Sequence, residues 1–196
     1  MNYLAHAFLS GDNPEVLIGN MSADSLRKNS LSGLSPDIVR GIHLHRRIDR
    51  FTDTSGEFSA CKSVFIPQYG RYAHILVDIA FDHLLIVKWA DYTTADLSVF
   101  IGKVYEALEA RRHMLPDAFV PIFDRMREDD WLRGYGSLDG VAMAYERIGH
   151  RIGAAPGRLA GAAELIGRKH DYLCGEFSSL FPKVIRTADE IIRGGG

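Results

Sequence analysis

The chain has little cysteine: two residues, Cys61 and Cys174, in 196. They lie far apart, in no CxxC pair and at no Cys/His zinc spacing, which excludes a disulfide framework and a cysteine-based zinc site. Long apolar runs are also missing. The longest, around Ile75–Trp89, is interrupted by Asp78, Asp82 and His83, so a membrane-spanning segment is not expected. The start, MNYLAHAFLSGDNPEV, lacks the basic region and apolar length of a secretory signal. Together these absences predict a cytoplasmic protein with free thiols. Excess charge is absent as well. A formal net charge of −2 gives no footprint for broad nucleic-acid binding. Alternating strand patterns, internal repeats and linkers are nearly absent too, so the sequence reads as one all-α domain over residues 1–196, a helical bundle of seven to nine helices.

Helix punctuation is plentiful. A first apolar segment, Asn2–Ser10, precedes a turn at Gly11-Asp12-Asn13. Asn13 caps a second helix with Pro14 in its first turn, running to about Leu26. Ser35-Pro36-Asp37 opens a third helix, to about Phe51, with an acid at the positive end of its dipole. Pro67–Gly70 reads as a break before a very apolar fourth helix, about Arg71–Trp89. Thr94, Pro116, Ser137 and Pro156 read as starts of later helices.

Polar residues on apolar stripes are the informative feature. In the third helix Ile38, Ile42, His45 and Asp49 share one face. In the second, Asp24 falls on the stripe of Leu17 and Met21. In the fourth, His74, Asp78 and Asp82 form a stripe with His83 beside it. That last stripe also suits a solvated face, but no Lys or Arg occurs between Arg71 and Lys88, and solvated faces mix both signs. Buried carboxylates gathered together repel unless a cation sits among them, so three such stripes point to a divalent metal held by Asp oxygens and His nitrogens. His6, four residues from Asn2, is either a satisfied core histidine or a member of the same centre. Arg46, Arg47 and Arg50 lie close to His45 and Asp49 in sequence, with Arg27 and Lys28 upstream. Each is either an ordinary solvated side chain or part of a basic rim.

The segments NYLAH at 2–6, GNMSAD at 19–24, GIHLHRRIDRFTD at 41–53 and LVDIAFDHLL at 76–85 resemble, in this order, the acyl carrier protein phosphodiesterases. The resemblance is clear over the N-terminal half. It implies a fold distantly similar to HD-type phosphohydrolases. It also implies a divalent cation, manganese with magnesium as the alternative, and hydrolytic release of 4′-phosphopantetheine from the serine of holo acyl carrier protein. Family-type roles fall on Asp24, His45, Asp49, Asp78, Asp82 and His83, with His6 nearby. The expected metal ligands are Asp24, His45, Asp49 and Asp78. Asp82 or His83 would orient the attacking water, and His83 or His6 would protonate the departing oxygen. Arg27, Lys28, Arg46, Arg47 and Arg50 would meet the acidic carrier protein. Two other readings use the same residues: a phosphohydrolase acting on a nucleotide or another phosphodiester, and a non-catalytic helical module with structural acids.

Overall fold

The structure, a computed structural model, describes residues 1–26 and 31–194. Among these residues every regular element is helical: α1 (Tyr3–Phe8), α2 (Pro14–Ser22), α3 (Pro36–Asp53), α4 (Gly56–Tyr69), α5 (Ala73–Val87), α6 (Trp89–Tyr92), α7 (Leu97–Ala110), α8 (Val120–Glu128), α9 (Trp131–Gly134), α10 (Leu138–Arg151), α11 (Ala162–Arg168) and α12 (His170–Arg193). The all-α expectation holds, with more segments than seven to nine: α6 and α9 are single turns, and α4 is a helix the sequence reading did not expect. No described helix is long and apolar enough to cross a membrane.

Several caps fall where the side chains require them. Asn13 Oδ1 accepts from the amides of Glu15 and Val16, and Ser35 Oγ accepts from Ile38 at 3.2 Å. Asn13 also donates to Asp37 at 2.7 Å, which ties the starts of α2 and α3 together. Ser137 caps α10 through the Gly140 amide. Other expected starts move. Asp96, not Thr94, caps α7, accepting from Val99 at 2.9 Å. Pro116 opens a turn that precedes α8. After Pro156 the chain also turns, with Gly153 and Gly157 at φ 70° and 72°, before α11 begins at Ala162.

The expected break at Pro67 conceals α4. Phe58, Cys61, Phe65 and Tyr69 are buried along one face of this helix. Pro67 sits in its last turn, where one lost amide bond is tolerable, and the helix ends at Gly70 with φ 51°.

Helices α2 and α3 pack along their lengths and place the functional side chains. Their contact is glycine against glycine. A Cβ on Gly19 would lie 2.0 Å from the Ile38 carbonyl oxygen, and one on Gly41 would lie 2.1 Å from the Val16 oxygen. Only backbone without side chain fits there. Around this pair α3 also packs on α12, while α5 lies against α1, α4, α10 and α12. The buried aromatics Phe58, Phe81, Phe177 and Phe181 fill the interior between these helices.

Gly41→Ala is expected to cost about 3 kcal/mol or more, because the backbones must part. Gly102→Ala, in α7 with nothing within 4 Å of the added carbon, is expected to be stabilising by about 0.5–1 kcal/mol. Urea unfolding of the two variants checks the contrast, and a mild Gly41→Ala would remove the close-approach account.

Candidate metal centre

Four segments meet at one end of the α2–α3 pair: α1, the turn Ala23–Ser25 after α2, the C-terminal half of α3, and the first turns of α5. His6 comes from α1, Asp24 from the turn, His45 and Asp49 from α3, and Asp78 from α5. His6, His45 and Asp49 each offer a ligand atom, all within 4.8 Å of one another. The two imidazoles stack with centroids 4.0 Å apart. Asp49 Oδ1 lies 3.2 Å from His6 Nε2, and its Oδ2 lies 3.1 Å from His45 Nε2.

Asn20, fully buried in α2, fixes both rings. Its side-chain amide donates to the His6 carbonyl at 2.9 Å and to Ser10 Oγ at 3.0 Å. Its side-chain oxygen therefore faces His6 Nδ1 at 2.8 Å, and that nitrogen must carry hydrogen and donate. Its backbone carbonyl accepts from His45 Nδ1, also at 2.8 Å. Both Nε2 atoms are thus aimed at Asp49, the arrangement in which outer hydrogen bonds hold metal-ligating histidines.

Charge follows from this geometry. Burial, reinforced by the charge on His45, brings the His6 pKa down to about 4 against the pull of Asp49. A neutral His6 with hydrogen on Nδ1 has a bare Nε2, which is buried, has no hydrogen-bond partner, and points its lone pair toward a carboxylate oxygen. Two electron-rich atoms in that relation suit a shared cation. Burial would also lower His45, but the hydrogen bonds to Asp24 and Asp49 outweigh it and raise His45 to about 9. Burial would raise Asp49, yet the hydrogen bond from His45 and the nearby N-terminal amine hold it well below the usual carboxylate range. Two imidazoles and a carboxylate suit a divalent cation, so the residues present fit the group that the sequence implied.

The other expected ligands stand at the edges. Asp24 touches His45 Nε2 at 3.2 Å, and its side chain is 83% exposed, so it faces open solvent. Its hydrogen bond with His45 lowers its pKa against partial burial. Asp78 belongs to a neighbouring group with His74 and Asp53. His74 Nε2 is 3.2 Å from Asp53 and 3.7 Å from Asp78. The N-terminal amine of Met1 lies 2.9 Å from Asp78 and 3.4 Å from Asp49, bridging the two groups with positive charge. Burial would lower this amine, but Asp78 and Asp49 hold it up to about 11.

Two expected catalytic residues have other contacts. Asp82 is fully buried, and its two oxygens accept from the backbone amides of Leu4 and Ala5 at 2.8 and 3.0 Å. It satisfies the open first turn of α1 instead of orienting water. His83 turns to the Tyr135 carbonyl at 2.7 Å, and burial lowers its pKa. It is not among the groups that converge on Asp49. His6 is a buried centre residue with a bare Nε2, which leaves it no proton to give a departing oxygen. Arg46, Arg47 and Arg50 are exposed on α3, while Arg27 and Lys28 lie outside the described residues. Sequence reading passed over Asn20, although it sits inside GNMSAD as a lone amide in an apolar helix. His74 was seen on its stripe, but Asp53 was not paired with it.

The family model described as acyl carrier protein phosphodiesterase matches residues 1–184. A protein of that name from Serratia proteamaculans (strain 568) is 27% identical over 191 residues, spanning 97% of this chain and 98% of its own length. One from Klebsiella pneumoniae (strain 342) is 28% identical, spanning 96% and 98%. One from Photorhabdus laumondii is 32% identical over 152 residues, 77% of each chain. No solved structure matches, so the expected likeness to HD-type phosphohydrolases gains no support from a structural neighbour.

Asp82→Ala leaves two buried amides without acceptors and is expected to lower stability by about 2–4 kcal/mol. Urea denaturation reads this directly. A variant as stable as the parent would show that Asp82 does not hold α1.

Proposed function

The chain belongs to the acyl carrier protein phosphodiesterase family, and from that premise we propose that it is a cytoplasmic, metal-dependent phosphodiesterase, one helical domain over residues 1–196. Its substrate is holo acyl carrier protein, from whose serine it releases 4′-phosphopantetheine. The observation that carries this reading is the bare, buried Nε2 of His6 directed, with His45, at Asp49.

His6, His45 and Asp49 would hold the divalent ion, manganese or magnesium, with Asp24 and Asp78 at its margins. Such an ion lowers the pKa of water bound to it and offsets charge on phosphoryl oxygens. The chain's own residues do the rest. Asn20 keeps both imidazoles in the ligand tautomer. Asp24, ionised and open to solvent, accepts the proton of the attacking water. Water oxygen bonds to phosphorus, the bond from phosphorus to the serine oxygen breaks, and that oxygen takes up a proton from solvent to give apo carrier protein. Arg46, Arg47 and Arg50, exposed on the helix that carries His45, would meet the carrier's acidic surface.

Incubating the protein with manganese and holo acyl carrier protein should remove the prosthetic-group mass, read by intact-protein mass spectrometry. An unchanged carrier mass would sink the proposal. Asp49→Asn should slow release by about 10²-fold or more. Asn20→Ala, checked for folding by circular dichroism, should weaken manganese binding by about 10- to 100-fold in a calorimetric titration.

A further inference from the structure

On the open side of Asp24 lies a cleft of about 240 Å³, lined by Tyr3, Met21, Asp24, Phe119, Ile122 and Arg151. It is built from both halves of the chain: Tyr3 opens α1, Met21 and Asp24 close α2, Phe119 and Ile122 bracket the start of α8, and Arg151 ends α10. Tyr3 is its aromatic floor, with its ring 6.5 Å from Phe119 and 6.3 Å from Trp131. Ile122 and Arg151 also line an adjoining groove of about 740 Å³ that includes Arg125, Trp131 and Arg147. The two spaces therefore adjoin at Ile122 and Arg151, which wall both. Glu128 and Asp129 line this outer groove but not the cleft beside Asp24.

The cleft and the groove differ in chemistry. At the inner end Asp24 touches His45 of the metal centre. Beside it in the cleft wall stands Arg151, an exposed guanidinium that faces Tyr3 and offsets part of the rise that burial imposes on the Tyr3 hydroxyl. Met21, Phe119 and Ile122 supply an apolar wall. One helical turn before Arg151, Arg147 lies over the Trp131 ring at 4.5 Å. Among the described residues neither Arg147 nor Arg151 has a carboxylate within ion-pair distance, whereas Arg112, Arg127 and Arg133 are all paired.

We propose that this cleft receives the prosthetic arm of the substrate, with Arg151 binding the diester phosphate beside Asp24. The proposal rests on the phosphodiesterase reading and adds the position of the arm and the residue that selects for its phosphate. An arm that begins with an anion and continues through a branched hydrocarbon into amides matches the kinds of wall present: a guanidinium, the apolar side chains of Met21, Phe119 and Ile122, and an aromatic groove alongside. A planar guanidinium meets phosphate oxygens through paired N–H donors. The cleft also gives the C-terminal half, which carries none of the metal-centre side chains, a part in the site.

The test is calorimetric titration of free 4′-phosphopantetheine, and of pantetheine without phosphate, into the manganese-loaded full chain. Arg151→Gln should weaken phosphopantetheine by about 10- to 100-fold and leave pantetheine nearly unchanged, with Arg151→Lys between the two. Ile122→Trp, which fills the cleft, should weaken both ligands. Arg151 is exposed, so its variants are expected to unfold in urea like the parent. Equal phosphopantetheine affinity in the parent and Arg151→Gln would overturn the assignment. So would a KM for holo carrier protein that rises while phosphopantetheine binding holds, because the arginine would then serve protein docking. Carrier mass unchanged by the parent enzyme would defeat the phosphodiesterase reading itself. Release by the parent with an indifferent Arg151 would defeat only the cleft.

Discussion

The centre depends on the close approach of two helix backbones. Gly19 and Gly41 let α2 and α3 pack with no side chain between them, and this nearness brings His45 Nδ1 to the carbonyl of Asn20. A helical carbonyl is normally used within its own helix. The Asn20 carbonyl is near the end of α2, where the helix tightens into the turn Ala23–Ser25 and its last carbonyls look outward. The end of one helix thus sets the ring orientation of a ligand on the next. A separation wider by the width of a methyl group would break that bond and swing His45 away from Asp49.

Electrostatics then decide what the assembled groups require. Asp49 and Asp78 are partly buried and meet around one positive charge, the N-terminal amine, while on its other side Asp49 accepts from His45 and faces the bare Nε2 of His6. His45 answers the negative charge by holding a proton on Nε2, which a ligated cation would displace. His6 cannot, because burial and its charged neighbour keep it neutral. The residual mismatch sits at one atom, His6 Nε2, and an orphaned buried polar atom is costly enough to need a reason. A cation shared by His6, His45 and Asp49 supplies one. The same accounting separates Asp82 from this group. Its carboxyl is fully buried and burial pushes its pKa up to about 7, yet both oxygens are used up by amides of α1.

Sequence periodicity brought out those elements whose signals are local. The stripe Ile38–Ile42–His45–Asp49 and the caps Asn13, Ser35 and Ser137 depend on neighbours within a turn or two, and they stand in the structure where the pattern puts them. Helix α4 was hidden because Pro67 reads as a stop, and its position in the final turn appears only once the buried stripe Phe58–Cys61–Phe65–Tyr69 is assembled. The site was legible to the same depth. An acid on an apolar stripe is visible in sequence, but its partner is not. Asp49 and Asp82 look alike in periodicity, and only the folded chain distinguishes a carboxylate facing two imidazoles from one facing two amides. Asn20 was missed for a related reason. Its importance lies in four contacts, to His6, Ser10 and His45, none of which sequence spacing encodes.

The shortest of the helices that meet at the centre joins the two halves of the site. Helix α1 is held at three points: Asp82 binds the amides of Leu4 and Ala5, Tyr135 accepts from the side chain of Asn2, and the Asn20 amide binds the carbonyl of His6. A six-residue helix has too few internal bonds to be stable alone, so its register is set entirely by these outside partners. It carries His6 into the metal centre and, three residues earlier, Tyr3 into the floor of the cleft. Residues three apart lie on neighbouring parts of one helical face. Ligand and floor therefore move as one body. A disturbance at Asp82 or Tyr135, neither of which touches the centre directly, reaches His6 and Tyr3 together. The buried acid under α1 and the tyrosine beyond it thus act on the His6 position and on cleft shape through a single short element.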